Sequence, residues 1–501
     1  MVAWEEVSKV CRDYMAKRSG YARTNFPYYA LHDVPHLENV RRIGRELYMT
    51  LGPRDLHKYD FYGKFWDCSA YIHDLGMAVG PRELNALGLH TSALRDYLKA
   101  EETSAGRGLA GKLSKFSNFF TSYGNNKSFL EWGKIQIPDK KSINPCDPVF
   151  AQFIRDIHPW ISYELAKREL ADSLRDVFGS EGKAEEFAKY VGLVALLHWK
   201  HTRPDLPPTE FEGYSLDFSF WGAVIRLADA LDATEDRGVP ELGYIADVLR
   251  GDISQAAHRA FKIVKKTRDV RYWDMGVKIE NEEKRRIVLD VGPGREEAEL
   301  LGFLLFEVGG NIYKDYDAAR KVLQDLGIQL PPLWIKAGDK EGSLEPYLLH
   351  LHKAHKKIEN IKLTEDSPYI EELKRSGAPQ ELVDLLAQKR SPTPQEICRE
   401  KCEDLIDLLG VESAESWEYC IQKCEDLINS LVEKGKKTTE SQHDKCQEKC
   451  KKNEKKKGGY NPLDALAVAV LTQTPADGIV RLILRDLDSR EVEKLLKALA
   501  H

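Results

Sequence analysis

Two adjacent residues, His73 and Asp74, have side chains that can bind a metal ion or transfer a proton. The apolar residues around them recur at three- and four-residue spacing: Phe61, Phe65, Cys68, Ile72 and Leu75. This spacing predicts a buried helix that ends near Gly76. Burying an ionised aspartate costs several kcal/mol unless a cation or a metal compensates it. For an isolated pair, a simple hydrogen bond between the histidine and the aspartate would also explain the pattern.

Other histidines and aspartates lie on or beside the apolar stripes of further predicted helices. His36 precedes Val40 by one turn, and Asp229 precedes Asp232 by one turn. His158 opens a predicted helix and His198 closes another. One such residue could be incidental, but the repetition over five predicted helices indicates a single shared site.

The order His36, His73-Asp74, His158, His198, Asp229 resembles the HD superfamily of metal-dependent phosphohydrolases. The stretch Ile225–Asp232 is similar to the last motif of that superfamily. The stretches Leu31–His36 and Ala230–Arg237 are most similar to the group called HD-CE. The resemblance covers residues 20–245, about half of the chain.

The resemblance implies a set of metal ligands. His36, His73, Asp74 and Asp229 would hold a first ion, and Asp74 would bridge to a second ion held by His158 and His198. Nitrogen and carboxylate ligands suit Mn, Fe, Co, Ni or Zn better than Ca, and Mg is also compatible with the prediction. One or two divalent ions are therefore expected.

A phosphorylated substrate also needs basic groups near the ions. Lys200 and Arg203 follow His198, and Arg42 and Arg237 lie near other motifs, although a residue of this kind is more often a surface or ion-pair residue. The predicted catalytic residues are Asp74, His73, Lys200 and Arg237. His32 and His201 could orient the ligands, and Asp232 is expected to anchor its neighbours rather than bind metal.

Composition sets the broader class of the protein. The 501 residues are 42% hydrophobic and 31% charged, which suits a soluble globular protein of several domains. The net charge of −6 argues against a broadly basic surface that coats nucleic acid. Residues 2–17 lack the apolar run of a signal peptide, and the run Ala465–Leu471 is too short to cross a bilayer. We therefore expect a cytoplasmic protein that does not contact membranes.

The predicted fold class is mainly α: an HD-domain helical bundle, then a small α+β domain, then a helical Cys-paired C-terminal region. The bundle spans 1–243, with an insertion at about 80–150 that could be a lid over the site or plain disorder. Residues 244–335 form the α+β domain, with strands at 269–272, 276–280 and 286–291. Its Gly-Pro-Gly segment at 291–295 lacks a phosphate-binding fingerprint and is interpreted as a turn. Residues 336–395 are a predicted helical connector.

Six cysteines form three Cys-x-x-x-Cys pairs between residues 396 and 452: Cys398/Cys402, Cys420/Cys424 and Cys446/Cys450. Each pair lies on one face of a predicted helix, because residues four apart are neighbours. Facing helices could join such pairs as disulfides or bind zinc through four thiolates, and both alternatives remain open. Residues 453–501 comprise a basic linker and amphipathic helices, which could dock on the body of the chain or on another subunit of a homo-oligomer.

The function predicted from these patterns is hydrolysis of a phosphomonoester or phosphodiester of a nucleotide-type substrate. A small nucleotide is favoured over nucleic acid because of the acidic balance and the insertion. Two alternatives remain: a nucleotide sensor or assembly module without turnover, and a metal-dependent nuclease.

Overall fold

The computed structural model describes residues 2–18, 34–53, 56, 59–79, 158–198, 208–233, 276–280, 285–387 and 460–500. Helices dominate these residues, so the mainly α fold class is confirmed. The N-terminal half contributes α1 (Trp4–Ala16), α2 (Val34–Leu51), α3 (Asp60–Ile72), α4 (158–178), α5 (Glu181–Leu197) and α6 (Phe218–Leu231). Helix α4 includes a π-helical segment, Ala166–Leu170.

These helices form a bundle around α5, whose residues are buried on nearly every side. Helix α5 packs against α3, α4 and α6, while α2 packs against α3 and α6. The predicted stripes face this core, since Val40, Phe65 and Ile72 are all completely buried. A short antiparallel hairpin, β1 (Thr209–Phe211) and β2 (Tyr214–Leu216), precedes α6. Its Tyr214 ring stacks on Phe61 of α3 with the ring centroids 4.2 Å apart.

A four-stranded sheet follows the bundle, in the order β3 (Gly276–Glu280), β4 (Arg286–Asp290), β5 (Leu333–Ala337) and β6 (Lys340–Ser343). The antiparallel pairing of β3 with β4 agrees with the sequence analysis. Strand β5 is parallel to β4, and the helix α7 (297–325) connects them. The predicted strand at 269–272 lies outside the described residues.

The helical connector predicted from residue 336 is wrong at its start. Residue 336 lies inside β5, and β6 extends the sheet to Ser343. Helices begin only afterwards, with α8 (Leu348–Glu359), α9 (Pro368–Arg375) and α10 (Gln380–Leu386). Strand β6 was missed because Lys340–Ser343 contains no large apolar residue whose alternation would reveal a strand.

Helix α7 is continuous and contains a π-helical segment at Leu304–Ile312. Helix α8 crosses this segment closely, because a Cβ on Gly309 would lie 2.6 Å from the Leu351 carbonyl oxygen. His352 Nδ1 lies 2.8 Å from the Gly309 carbonyl oxygen, and His355 is buried. These two histidines therefore belong to a helix interface.

The chain ends with α11 (Pro462–Leu471), α12 (Asp477–Leu487) and α13 (Arg490–Ala500). They pack on the chain's own body, against α7, α8, α9, β5 and β6. Val492, Leu495 and Leu499 are thereby buried. These helices thus dock on the body of the chain, which is one of the two predicted alternatives. The cysteine pairs, the basic linker and the insertion lie outside the described residues.

The approach of α2 to α3 depends on a glycine. Gly44 of α2 faces Trp66 of α3, and a Cβ at this position would lie 1.8 Å from a carbon of the Trp66 ring. The ring is fully buried and has no space to retreat into.

We expect Gly44→Ala to lower the free energy of unfolding by about 1–3 kcal/mol, because the added methyl group overpacks this contact. Urea denaturation of the purified variant measures the change. Gly182→Ala is the matched control, since a Cβ there meets no atom within 4 Å. The control should match the unaltered protein or be slightly more stable. Equal stability of both variants would contradict the packing described for α2 and α3.

Candidate metal centre

Five helices bring the histidines and aspartates together at their ends. His36 lies in the first turn of α2, and His73 is the C-cap residue that follows α3, immediately before Asp74. His158 lies in the first described turn of α4, His198 ends α5, and Asp229 lies in the last turn of α6. The middle parts of these helices pack against one another through apolar side chains. The histidines and aspartates therefore lie at the helix ends.

One group of side chains contains His36, His73, Asp74 and Asp229. The Oδ2 atom of Asp74 lies 3.2 Å from the Nε2 atoms of both His36 and His73. The Oδ1 atom of Asp229 lies 3.5 Å from His36 Nε2 and 3.9 Å from His73 Nε2. The four donor atoms therefore surround one point and could hold a metal ion.

A second group contains Asp74, His158 and His198. The other carboxylate oxygen of Asp74, Oδ1, lies 3.1 Å from His158 Nε2 and 3.7 Å from His198 Nε2. The two imidazole nitrogens are themselves 2.9 Å apart, which is hydrogen-bonding distance. Asp74 is thus shared by both groups and presents one oxygen to each.

The outer nitrogens of three histidines are fixed by partners that leave Nε2 pointing inward. His73 Nδ1 donates to the carbonyl oxygen of Ala70 over 2.7 Å, and His198 Nδ1 donates to that of Ala195. A carbonyl can only accept, so each Nδ1 carries the proton. His36 Nδ1 lies 2.6 Å from Asp232 Oδ2, the anchoring position predicted for Asp232. Such outer partners orient imidazoles toward metals.

The turn that carries Asp74 is held against α4 by a contact that the sequence did not reveal. The Ser162 hydroxyl donates to the His73 carbonyl oxygen and accepts from the Gly76 amide, both over 2.8 Å. A Cβ on Gly76 would lie 2.1 Å from the carbonyl oxygen of His158. Gly76 had been interpreted as a helix stop, but α3 ends at Ile72. The glycine instead lets α4 bring His158 close to Asp74.

This geometry is accompanied by a match to a known family. The HD-CE family matches residues 26–275. This segment includes the six residues of the two donor groups: His36, His73, Asp74, His158, His198 and Asp229. The chain belongs to the HD-CE family over this segment. Neither a curated protein nor a solved structure matches the chain.

The HD-CE centre is buried on one side and open on the other. His36, His73 and Asp74 are almost completely buried. The side chains of His158 and Asp229 keep 15% and 29% of their surface exposed. A ligand would therefore approach the centre past these two residues.

The centre also shifts the protonation of its histidines. Burial opposes protonation of His73, yet the Asp74 and Asp229 carboxylates outweigh it and raise the pKa of His73 to about 10. Burial and the neighbouring His158 and His73 lower the pKa of His198 to about 3. Without metal, His73 thus carries a positive charge beside two carboxylates, while His198 stays neutral. The carboxylates of Asp74 and Asp229 therefore favour a metal cation in place of the extra proton on His73.

The residues present fit a divalent transition metal. Nε2 of His73 is buried and makes no hydrogen bond within the described part of the chain. The donor set combines imidazole nitrogens with carboxylate oxygens, which transition metals accept and calcium disfavours. The identity of the metal does not follow from these ligands, because several first-row ions share the preference.

The predicted phosphate-binding residues receive less support. Lys200, Arg203 and Arg237 lie outside the described residues, as do His32 and His201. Arg42 is within the described residues. Its Nη1 atom lies 3.2 Å from Glu46 Oε1 and 3.4 Å from the Val277 carbonyl oxygen. It therefore connects α2 with the sheet.

We expect metal affinity to rise with pH, because His73 must lose its proton before it can bind. Below its pKa of about 10, this one proton should make the apparent affinity rise about tenfold per pH unit. Titration calorimetry with Mn²⁺ between about pH 7 and 8.5 measures the slope. Repeating it in buffers of different ionisation enthalpy counts the released protons. An affinity that does not depend on pH would contradict the charge assigned to His73.

Proposed function

We propose that the HD-CE domain is a metal-dependent phosphohydrolase that cleaves a phosphomonoester or phosphodiester of a nucleotide-type substrate. The observation that supports this function most strongly is the position of Asp74. Its two oxygens face two separate groups of donors, each able to hold an ion. Two ions bridged by one carboxylate are a common arrangement for displacement at phosphorus.

His36, His73, Asp74 and Asp229 would hold the first ion, and Asp74, His158 and His198 the second. Divalent ions held there would neutralise phosphate charge and lower the pKa of a water molecule. The protein's own contribution is to fix the donors. Asp232 and the carbonyl oxygens of Ala70 and Ala195 orient three imidazoles, so little reorganisation is needed on binding.

We assign contact with the substrate phosphate to Lys200 and Arg237. Lys200 follows His198 by two residues, and Arg237 follows Asp229 by eight. A guanidinium and an ammonium group would offset phosphate charge that the ions leave uncompensated. Asp74 and His73 are proposed as catalytic through their part in the ion-binding centre.

A small nucleotide is the substrate class that we favour over nucleic acid. The net charge of −6 does not support a broad surface for a polyanion.

None of the helices in the described residues is long and apolar enough to cross a membrane. We propose a cytoplasmic enzyme on the basis of the sequence.

We expect Asp74→Asn to reduce phosphoesterase kcat/KM by about a thousandfold, because an amide of the same shape cannot serve two cations. The assay uses a panel of nucleotides and model phosphodiesters with Mn²⁺, Co²⁺, Ni²⁺ and Mg²⁺, and metal content is measured by mass spectrometry. Asp67→Asn is the matched control. Asp67 is a buried aspartate on α3, the helix that precedes Asp74, but its partners are Arg41 and Ser8.

The control should retain activity and metal content. Full activity of Asp74→Asn would exclude the proposed mechanism. Metal binding without turnover of any ester would instead favour a nucleotide sensor, and cleavage confined to single-stranded nucleic acid would favour a nuclease.

A further inference from the structure

A single basic residue interrupts the apolar helix α6. In its 14 residues, the charged side chains are Arg226 and Asp229. The Arg226 side chain is only 10% exposed, although a guanidinium group loses much of its hydration when it is buried. A specific partner must compensate it.

That partner is Asp315 on α7, which lies 89 positions further along the chain. Nε and Nη2 of Arg226 donate to the same oxygen of Asp315, Oδ1, over 3.1 and 2.7 Å. The pair lies where α6 packs against the Tyr313–Asp325 segment of α7. It joins the bundle to an element outside the matched HD-CE segment.

The pair lies beside the candidate metal centre. Arg226 and Asp229 are three residues apart, so they share one side of α6. Burial raises the pKa of Asp315, Arg226 lowers it, and the negative charge of Asp229 raises it further. The three charges therefore form one electrostatic group at the edge of the centre.

The end of α6 supplies two of the carboxylates that approach His36. Asp229 Oδ1 lies 3.5 Å from His36 Nε2, while Asp232 Oδ2 lies 2.6 Å from His36 Nδ1. A shift of α6 along its axis would disturb both distances together. Apolar contacts are not directional, whereas an ion pair with two hydrogen bonds favours one position of α6 along α7.

We propose that Arg226 and Asp315 are positioning residues, which hold the last turn of α6 so that Asp229 can complete the first metal group. Helix α7 thereby helps to set the geometry of the HD-CE centre through Asp315. The proposal rests on the metal-binding part of the proposed function and does not depend on the substrate.

The test is Asp315→Asn, which removes the charge and keeps the shape. We expect the affinity for Co²⁺ to fall by about 10–100-fold, with a changed visible absorption spectrum of the bound ion. Arg226→Lys, which keeps the charge but loses the forked geometry, should give a smaller loss. Asp317→Asn is the matched control, because Asp317 lies on the same helix and pairs with Arg320 and Lys321. Its affinity should stay within about twofold of the unaltered protein.

A lower melting temperature of Asp315→Asn with unchanged Co²⁺ affinity and spectrum would show that the pair only joins helices, and would overturn the proposal. A change in KM alone, at unchanged affinity for Co²⁺, would also overturn it. If the unaltered protein binds Co²⁺ but cleaves no ester, the phosphohydrolase proposal fails, and the affinity of the variant still decides this one. Absence of Co²⁺ binding by the unaltered protein would overturn both.

Discussion

The buried carboxylate of Asp74 is the constraint on which the rest of the centre depends. An ionised aspartate in an apolar core is unfavourable unless positive charge surrounds it. Here four imidazoles approach its two oxygens, and without metal a proton on His73 supplies part of the compensation. Replacing that proton with divalent ions would satisfy the same electrostatic demand. The arrangement therefore links the stability of the core to the binding of cations.

The bundle is built to hold this arrangement rigidly. The six side chains lie near helix ends, where their positions follow from how the helices pack. Close approaches at Gly44 and Gly76 set the spacing of α2, α3 and α4, and the Ser162 hydroxyl joins α4 to the turn after His73. The partners of the outer imidazole nitrogens then set the rotation of each ring. Helix packing thus sets where the six side chains lie, and hydrogen bonds then orient their donor atoms toward common points.

Sequence patterns predicted much of this organisation, because helices carry their apolar periodicity locally. The mainly α class, the β3–β4 pairing and the convergence of His36, His73, Asp74, His158, His198 and Asp229 were all predictable. Contacts between distant segments were not. The Ser162 contact joins residues 86 and 89 positions apart, and Arg226 meets Asp315 over 89 positions. No local pattern reveals such a partner. Strand β6 was not predicted for a different reason, because its residues lack an apolar alternation.

The most direct measurement is an anomalous diffraction map from crystals of the protein soaked in Mn²⁺. We expect two peaks about 3.5–4 Å apart, one on each side of the Asp74 carboxylate. One peak should lie among His36, His73 and Asp229, and the other beside His158 and His198. A map with no peak within bonding distance of Asp74, in crystals that hold Mn²⁺ elsewhere or not at all, would contradict it.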